Sequence, residues 1–463
     1  MRMRAFPVLK PGENRHRECA SAPLPHAGLD IRTKACYSKD ASKERFPTVF
    51  LEIHASRDAG ASRNRRITIT PERGAARTGR HPSIHPSHVR FMKSTAKTIA
   101  KAGLNGFFRC LAVFNRKSRP RDPRRILLVA GGYLGDTFWA LQTIPLLKKA
   151  YPEAEIHVAG RPFIRDLANA VVPDHCIHEA AIVSDRTRDA GGLSTLKRDA
   201  VSLRKAVCPD LTFDLMCNRY SAWFCRYLNS YAVGMDIAEE ASPLYSFCTR
   251  RERIPSIHLA YRPLSIVNQF LGQPDSQEIE LVPPVPARTR SMVFSELGLD
   301  SADRIVMLIP GAGWPAKRWA PEKFHLLAKH LSERGFRIVL SCAPDEKELC
   351  SMISEGIAGA RTICGSLSDT VSLLPHCRAV VGNDSGVAHL AAAFGIRTIT
   401  LFCQTNPAFC VPLGRQSHVL RAACPHLPRE NEHFCLGVPR LTCDKKERMN
   451  CSVQDALEMI IRQ

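Results

Sequence analysis

The chain has 463 residues, 44% of them hydrophobic, and its 65 Lys and Arg against 44 Asp and Glu give a formal net charge of +21. This length excludes a small disulfide-stapled protein and allows two or three domains. The 18 cysteines lie in apolar runs, where a thiol serves as a small buried hydrophobe. Because the first residues lack the apolar stretch of a secretory signal, we expect a reducing, cytoplasmic setting. No uncharged apolar run reaches about 18 residues, so no membrane-spanning helix is expected.

The positive charge is concentrated at the N-terminus. Residues 1–123 carry 26 Lys and Arg against 9 Asp and Glu, a net of +17, whereas the remaining 340 residues carry 39 against 35, a net of +4. Up to Pro86 the sequence is rich in Arg, Pro, Ser and His without sustained periodicity, which predicts a disordered basic arm over residues 1–91. A wrongly assigned start, with Met92 as the natural beginning, is the alternative. Nucleic-acid binding by the arm is a third hypothesis, against which stand the few interleaved aromatics and the nearly neutral body.

The next segment, residues 92–123, is basic and amphipathic. Phe107, Phe108 and Leu111 stand among six lysines and arginines between Met92 and Lys117. A helix of this composition can lie in the headgroup region of an anionic leaflet with its apolar side down. We therefore expect peripheral contact with an anionic membrane surface, and packing of the same helix on its own domain is the alternative.

From residue 124 onward, strand and helix patterns alternate, which predicts an α/β fold with parallel sheets covered on both faces. A Pro-rich break at 283–286 separates two such series and predicts two doubly wound domains, 124–286 and 287–463, facing a central cleft. Ligands bind at the carboxyl ends of the strands in such sheets, so we expect the chemistry in this cleft. The predicted strands are 126–129, 156–159, 213–217, 305–309, 337–341, 379–381 and 398–402, and the predicted helices are 137–150, 163–170, 321–334, 345–355, 368–374 and 386–394.

The first motif is GGYLGD at 131–136, between a predicted strand and helix. Its glycines allow a tight turn with room for a ligand, and Asp136 projects at the start of the helix. A Gly-rich loop without the GxGxxG order is a weak signal. Asp136 is therefore either a reactive carboxylate in the cleft or an ordinary helix cap.

The second motif is PGAGWPAKRW at 310–319, directly after the first strand of the second series. A turn containing Gly311 and Gly313, followed by Lys317 and Arg318, suits a diphosphate, which an ammonium or a guanidinium fork can bind. The alternative is that both cations are solvated surface charges. The two tryptophans of the motif are expected to be packing aromatics.

The third motif, VVGNDSGVAHLAAAFG at 380–395, joins a buried strand to a helix of small residues. The free amides at the start of that helix form a site for an anion. Gly386 permits close approach, Ser385 can donate a hydrogen bond, and His389 lies one turn further along the same side. Asp384 would repel a phosphate, so we expect it to cap the helix or bind sugar hydroxyls.

Taken in order, ILLVAGGYLGD, KKAYPEAEIHVAG, PGAGWPAKRWAPEKF and VGNDSGVAHLAAAFGIRTITLF closely resemble glycosyltransferase family 9, the family of ADP-heptose:lipopolysaccharide heptosyltransferases. The resemblance covers residues 124–463, and the third motif is its most specific part. It implies a GT-B fold, in which two Rossmann-like domains bind the acceptor and the nucleotide-sugar donor respectively. It also implies an inverting transfer of heptose from ADP-heptose to the inner core of lipopolysaccharide, without metal or other cofactor.

The resemblance assigns roles to individual residues. It implies that Asp136 is the catalytic base and that Lys317 binds the phosphates and stabilises the leaving group. Asp345 or Glu346, of which Glu346 is preferred, stands where the family has a carboxylate for the donor ribose, and Leu367 stands near the adenine. The remaining donor-binding residues implied are Gly311, Gly313, Arg318, Asp384, Ser385, Gly386 and His389.

The sequence also departs from the family pattern. Ala312 and Gly313 replace hydroxyl residues that some heptosyltransferases carry before the lysine, so another nucleotide-sugar or acceptor within the same family remains the alternative. The tail contains four cysteines at spacings of 10, 7 and 7 residues without a CxxC pair, and we expect reduced structural thiols there rather than zinc. The partners implied are the nucleotide-sugar, the lipopolysaccharide core and the anionic inner-membrane surface, and no nucleic acid. The implied location is cytoplasmic, peripheral to the inner membrane.

Overall fold

The computed structural model describes residues 117–180, 192–236, 244–249, 258–275, 279–422, 432 and 450–462, and the backbone of three N-terminal strands. The chain divides into two units, Met1–Arg90 and Phe91–Gln463. In the first unit, β1 (Asp30–Tyr37) pairs antiparallel with β2 (Val49–Ser56), which pairs with β3 (Arg66–Ile67). The rest of the predicted disordered arm, and residues 92–116 of the amphipathic segment, lie outside the described residues. Both stay predictions.

The second unit contains two parallel sheets of six strands. The first has the order β6-β5-β4-β7-β8-β9, and the second has the order β12-β11-β10-β13-β14-β15. Both orders reverse direction beside the first strand of their series, which is the point where doubly wound sheets bind ligands. The strands of the first sheet are β4 (Arg125–Val129), β5 (Glu155–Gly160), β6 (Ile177–Glu179), β7 (Leu211–Asp214), β8 (Tyr231–Met235) and β9 (Phe247–Thr249). The strands of the second are β10 (Arg304–Ile309), β11 (Phe336–Cys342), β12 (Arg361–Cys364), β13 (Cys377–Asn383), β14 (Arg397–Phe402) and β15 (Ser417–Arg421).

Helices cover both faces of each sheet. Those of the first sheet are α1 (Leu134–Leu141), α2 (Ile144–Ala150), α3 (Ile164–Ala168), α4 (Gly192–Val207), α5 (Arg219–Leu228) and α6 (Tyr261–Leu271). Those of the second are α7 (Arg290–Leu297), α8 (Pro321–Ser332), α9 (Lys347–Ser354), α10 (Leu367–Leu373), α11 (Gly386–Ala393), α12 (Pro407–Cys410) and α13 (Val453–Ile461). Among the described residues, 3-10 turns occupy Asp174–Cys176, Pro315–Lys317, Pro344–Glu346 and Leu374–His376. Within the described ranges, no helix combines the length and apolarity needed to cross a bilayer.

The core shows why the strands read as unbroken apolar runs. Along β10, Ile305 and Met307 join one apolar cluster, while Val306 and Leu308 join the cluster on the opposite face. Successive side chains of a strand point to opposite faces, so a strand covered by helices on both sides needs apolar residues at every position. The predicted architecture of two doubly wound α/β domains is confirmed.

Two predicted helices are wrong in detail. The helix expected over 137–150 is two helices, because Thr143 precedes α2 and Pro145 lies in its first turn. Proline has no backbone N–H and clashes with the preceding turn, so it starts a helix more readily than it continues one. The helix expected over 345–355 begins as the 3-10 turn Pro344–Glu346 and continues as α9. Strands β6, β8, β9, β12 and β15 were not predicted at all, and the strand predicted over 213–217 lies instead at Leu211–Asp214.

Candidate active site

The first motif places Asp136 at the mouth of a cavity. Its backbone leaves β4 and enters α1 with Tyr133 as the N-cap residue, so Asp136 is the third residue of the helix. The Tyr133 N–H donates to Asp136 Oδ2 at 3.3 Å. A Cβ at Gly132 would lie 2.8 Å from Asp136 Cβ, so glycine at this position makes room for the carboxylate. Asp136 therefore stabilises the start of α1 through this hydrogen bond, but it is not the N-cap residue itself.

The cavity beside Asp136 has a volume of about 210 Å³. Its lining includes Trp139, Met216 and Asn218, together with the guanidinium groups of Arg161 and Arg262. Asp136 is exposed to the cavity, yet the protein atoms around the carboxylate make desolvation the largest influence on it, and desolvation raises its pKa. The Tyr133 N–H and the positive charge of Arg262 act in the opposite direction. A carboxyl with a raised pKa is a better proton acceptor than an exposed aspartate.

A buried carboxylate, that of Asp214, supports the loop that lines the cavity, and the sequence did not reveal it. Asp214 ends β7, is fully buried, and accepts hydrogen bonds from the backbone N–H groups of Met216 and Cys217, both at 3.0 Å. The Tyr245 hydroxyl donates to its other oxygen at 2.7 Å. Burial raises the pKa of Asp214. The only signal in the sequence was an aspartate within the apolar run 211–217. In the structure, the hydrogen bonds of Asp214 fix the loop that carries Met216 and Asn218.

In the second domain, Asn383 of the third motif makes two hydrogen bonds to the backbone of the second motif. It ends β13 and is fully buried. Its Oδ1 accepts a hydrogen bond from the backbone N–H of Trp319 at 2.9 Å, and its Nδ2 donates to the Pro310 carbonyl at 2.7 Å. Trp319 is buried, as expected of a packing aromatic. The loop that carries Lys317 is thus held against the end of β13.

Lys317 and Asp384 form an ion pair in this corner. Lys317 Nζ donates to Asp384 Oδ2 at 2.5 Å, and the Thr405 hydroxyl donates to the same oxygen at 2.7 Å. Burial alone would raise the pKa of Asp384, but the Lys317 ammonium and these hydrogen bonds outweigh it and lower the pKa. Lys317 also lies 4.7 Å from the centre of the Trp314 ring. Asp384 does not cap α11, contrary to one of its two expected roles.

Arg318 is held by a carboxylate. Its guanidinium donates to Glu346 Oε1 at 2.8 Å and to the Ala312 carbonyl at 3.1 Å. Glu346 is buried, whereas the neighbouring Asp345 is exposed. A Cβ at Gly311 would collide with the Glu346 carboxylate, so the glycine turn admits this side chain. Of the two carboxylates considered, Glu346 is thus the one directed toward the second motif.

The start of α11 carries two buried polar atoms, Ser385 Oγ and His389 Nδ1, that find no hydrogen-bond partner in the described part of the chain. The His389 ring packs edge-on against Trp139 of the first domain, with centroids 4.6 Å apart. Desolvation lowers the pKa of His389 to about 3, so the ring is neutral. Buried polar atoms are normally paired, and two unpaired ones beside the free amides of a helix N-terminus form a site suited to a polar ligand.

The two domains meet where these motifs face each other. A Cβ at Gly386 would lie 2.5 Å from Leu134 Cβ and 2.9 Å from the Gly135 nitrogen. The same seam continues at His258, whose Nε2 lies 2.7 Å from the Val411 carbonyl. The Lys317 and Asp384 charges reach Asp136 and influence its pKa in opposite directions. The structure therefore brings the first motif and the third motif together.

The two remaining predicted positions are less central. Leu367 opens α10 and is half-buried against the apolar core. Gly313 is exposed in the loop between β10 and the turn Pro315–Lys317.

Comparison with known sequences identifies relatives with named activities. A lipopolysaccharide heptosyltransferase 2 of Salmonella typhimurium is 28% identical over 325 residues, covering 64% of this chain and 88% of the relative. A lipooligosaccharide heptosyltransferase 2 of Haemophilus influenzae is 31% identical over 313 residues, covering 64% of this chain and 88% of the relative.

Solved structures show the same fold. An E. coli structure described as ADP-heptose lps heptosyltransferase II matches with a TM-score of 0.56 and 22% identity, covering 73% of this chain and 97% of that one. An E. coli heptosyltransferase solved with ADP matches with a TM-score of 0.52 and 22% identity, covering 64% and 93%. The sequence profile of glycosyltransferase family 9 (heptosyltransferase) matches residues 202–435, half of the chain, beginning well after Asp136. The resemblance read from the motifs is confirmed, and the chain belongs to glycosyltransferase family 9.

Proposed function

We propose that this glycosyltransferase transfers heptose from ADP-heptose to the inner core of lipopolysaccharide, with inversion and without a metal ion in the reaction. The names of the relatives support this donor and acceptor. The observation that carries the proposal is the position of Asp136. It lies in a cavity of the first domain and within electrostatic reach of Lys317 in the second.

In the proposed reaction, an Asp136 carboxylate oxygen takes the proton of the acceptor hydroxyl as that hydroxyl attacks the anomeric carbon. The bond between the sugar and the β-phosphate oxygen breaks on the opposite face, which inverts the configuration. The departing diphosphate gains negative charge, which Lys317 and the amides at the start of α11 stabilise. Because these groups are fixed before the reaction, they need little reorganisation during it.

Lys317 would bind the diphosphate without giving up its ion pair with Asp384. The ammonium carries three donors and uses one on Asp384, so it can bind the carboxylate and a phosphate oxygen at once. Glu346 would bind the donor ribose, Leu367 would lie near the adenine, and Arg318 would act by holding Glu346 and the loop carbonyl. Gly311, Gly313 and Gly386 would let the donor approach the backbone, while Ser385 and His389 would supply the polar atoms that lack partners.

The acceptor side also fits the proposal. Arg161 and Arg262 line the cavity beside Asp136, and guanidinium groups suit an anionic glycan. The lipopolysaccharide acceptor is embedded in a membrane, so the basic segment 92–117 would hold the enzyme at the anionic inner-membrane surface. We propose domain limits at residues 124–286 for the acceptor side and 287–463 for the donor side.

The test is a transfer assay with purified full-length chain, heptose-deficient lipopolysaccharide and a panel of ADP-sugars and UDP-sugars. We expect release of ADP and growth of the acceptor only with ADP-heptose, and no loss of rate in the presence of a chelator. Turnover with a UDP-sugar, or with another ADP-sugar in preference to ADP-heptose, would favour the alternative of a different transfer within the same family.

A further inference from the structure

A cluster of metal-ligating side chains lies far from the cleft, at the amino ends of β5 and β6. Glu155 is the first residue of β5, His157 follows two residues later on the same face, and Cys176 ends the 3-10 turn before β6. One ligand atom from each of these three residues lies within 4.8 Å of the other two. His157 and Cys176 are buried, while Glu155 is exposed.

Two further histidines each contact one member of this group of three. His175 Nε2 lies 2.9 Å from Glu155 Oε1, and His157 Nε2 lies 3.0 Å from Glu155 Oε2. His178 Nε2 lies 3.1 Å from His157 Nδ1. The Glu155 carboxylate is thus the centre of a group that offers imidazole nitrogen, thiol sulfur and carboxylate oxygen from three directions.

This donor set matches the preferences of zinc. Zn²⁺ binds cysteine sulfur, histidine nitrogen and carboxylate oxygen, almost always with four ligands in a tetrahedron. With bond lengths of about 2.0–2.3 Å, two ligand atoms of one such ion lie roughly 3.3–3.8 Å apart. The distances from Glu155 to His157 and His175, 3.0 and 2.9 Å, are slightly below these values, and the ligand atom of Cys176 lies within 4.8 Å of those of Glu155 and His157. Coordination therefore requires the Cys176 and His175 side chains to rotate toward a common point.

We propose that Glu155, His157, His175 and Cys176 bind one structural Zn²⁺, and that His178 orients the ligand ring of His157. Coordination through His157 Nε2 places the ring proton on Nδ1, where it can be donated to His178 Nε2. A metal-bound histidine usually makes such a hydrogen bond with its second nitrogen, which fixes the ring and its tautomer. His178 therefore has a defined task without touching the metal.

The surrounding cations do not block the site. Arg165 forms ion pairs with Asp174 and Glu179, and Lys148 Nζ donates to the Val171 carbonyl at 2.6 Å. With a thiolate and one carboxylate as ligands, the bound Zn²⁺ would be electrically balanced. The exposed side of the cluster, formed by Glu155 and His175, gives the ion a route in from solvent.

The position in the fold indicates a structural role. Glu155 pairs with Arg125 at the amino end of the parallel pair β4 and β5, whereas Asp136 follows the carboxyl end of β4. The proposed ion is therefore at the opposite edge of the sheet from the reaction. It would fasten the three-residue edge strand β6 and the preceding turn to β5. The proposal does not depend on the donor or acceptor of the enzyme.

The test uses Co²⁺ as a spectroscopic probe on metal-free full-length chain, followed by displacement with Zn²⁺. We expect the wild type to show the near-ultraviolet sulfur-to-cobalt band and the visible bands of tetrahedral Co²⁺, both lost when Zn²⁺ is added. Cys176→Ser should remove the part of the sulfur-to-cobalt band that belongs to this site and reduce bound metal by one equivalent. Cys208→Ser, at an exposed thiol outside the cluster, is the matched control and should change neither.

His175→Ala provides a second variant in case the buried serine disturbs folding. Its side chain is largely exposed, so the fold should persist while the affinity for Zn²⁺ falls by about tenfold or more. Zn²⁺ should also raise the Tm of the wild type more than that of His175→Ala. The proposal is overturned if Cys176→Ser and His175→Ala bind as much Co²⁺ and Zn²⁺, with the same spectra and affinities, as the wild type.

Discussion

Gly386 and Gly135 meet at the boundary between the two domains, where a Cβ on Gly386 would lie 2.9 Å from the Gly135 nitrogen. Contacts this short are not seen for real Cβ atoms next to backbone, so any side chain at Gly386 must push α1 and α11 apart. The glycine in the third motif thus determines how closely the domains approach, in addition to leaving room for a ligand.

We therefore expect Gly386→Ala to lower kcat/KM by about 10²-fold, the cost of misplacing reacting groups by roughly 1 Å, while the chain stays folded. Steady-state kinetics and circular dichroism measure the two effects. Gly135→Ala is the graded comparison, because a Cβ there would lie 3.1 Å from the edge of the His389 ring, a milder contact. Normal kcat/KM in Gly386→Ala would show that the helix contact does not position the reacting groups.

The variant Asp136→Asn tests whether Asp136 acts as the catalytic base or only stabilises the start of α1. The amide oxygen of asparagine can still accept the Tyr133 N–H, so the Tm should hardly change, whereas the loss of basicity should lower kcat by about 10²–10⁴-fold. Donor affinity, measured by calorimetry with ADP, should stay close to that of the wild type. Retention of wild-type kcat, under conditions where chemistry limits the rate, would assign Asp136 to bracing alone.

The pH dependence of kcat/KM should report the ionisation of the Asp136 carboxylate. Asp136 must be deprotonated to act, and its pKa is raised above the usual 3.8, so kcat/KM should fall with decreasing pH around a midpoint above that value. Arg262 lowers this pKa through its charge. Arg262→Gln should therefore move the midpoint to higher pH.

Arg161→Gln is the control for that shift, because Arg161 lines the same cavity but is not among the largest influences on the pKa of Asp136. Its midpoint should match the wild type even if its KM for the acceptor increases. An unchanged midpoint in Arg262→Gln, or an equal shift in both variants, would contradict the assignment.

Lys317→Ala should affect both stability and donor binding. It leaves the buried Asp384 carboxylate without its cation, a loss that costs about 3–5 kcal/mol for fully buried pairs. Lys317 is partly exposed, so we expect about 1–3 kcal/mol in urea unfolding. The double variant Lys317→Ala with Asp384→Asn should recover stability but not affinity for ADP. Recovery of ADP affinity in the double variant would show that Lys317 merely neutralises Asp384.

The architecture was predictable because most central strands are unbroken apolar runs buried on both faces, although β8 (Tyr231–Met235), which is equally buried, was not predicted. Ile305 to Ile309 is apolar throughout, and the glycine-rich or polar residues of the three motifs follow directly after such runs. The edge strand β6 has three residues, with His178 and Glu179 among them. Pairing with β5 stabilises it, and three residues contain no periodicity from which to predict a strand.

The sequence predicted many of the residues that form the site, but not which of them contact each other. Lys317 pairs with Asp384 across 67 positions, and Arg318 pairs with Glu346 across 28. Such pairs are created when the ends of different strands meet, so spacing along the chain contains no record of them. The same reason explains why Asp214 and the proposed zinc ligands were missed. Glu155 and Cys176 come together through the parallel pairing of β5 and β6, outside any CxxC pattern.

The seam at His258 has a consequence for how substrates enter. His258 Nε2 bonds the Val411 carbonyl, and the Leu259 N–H donates to the Phe409 carbonyl at 2.8 Å. The two domains are therefore tied along one side by one side-chain bond and one main-chain bond, and substitution of His258 removes only the first. Because the main-chain bond persists whatever side chain follows His258, we expect the cleft to widen mainly on the side away from this line, where a bulky acceptor has room to enter.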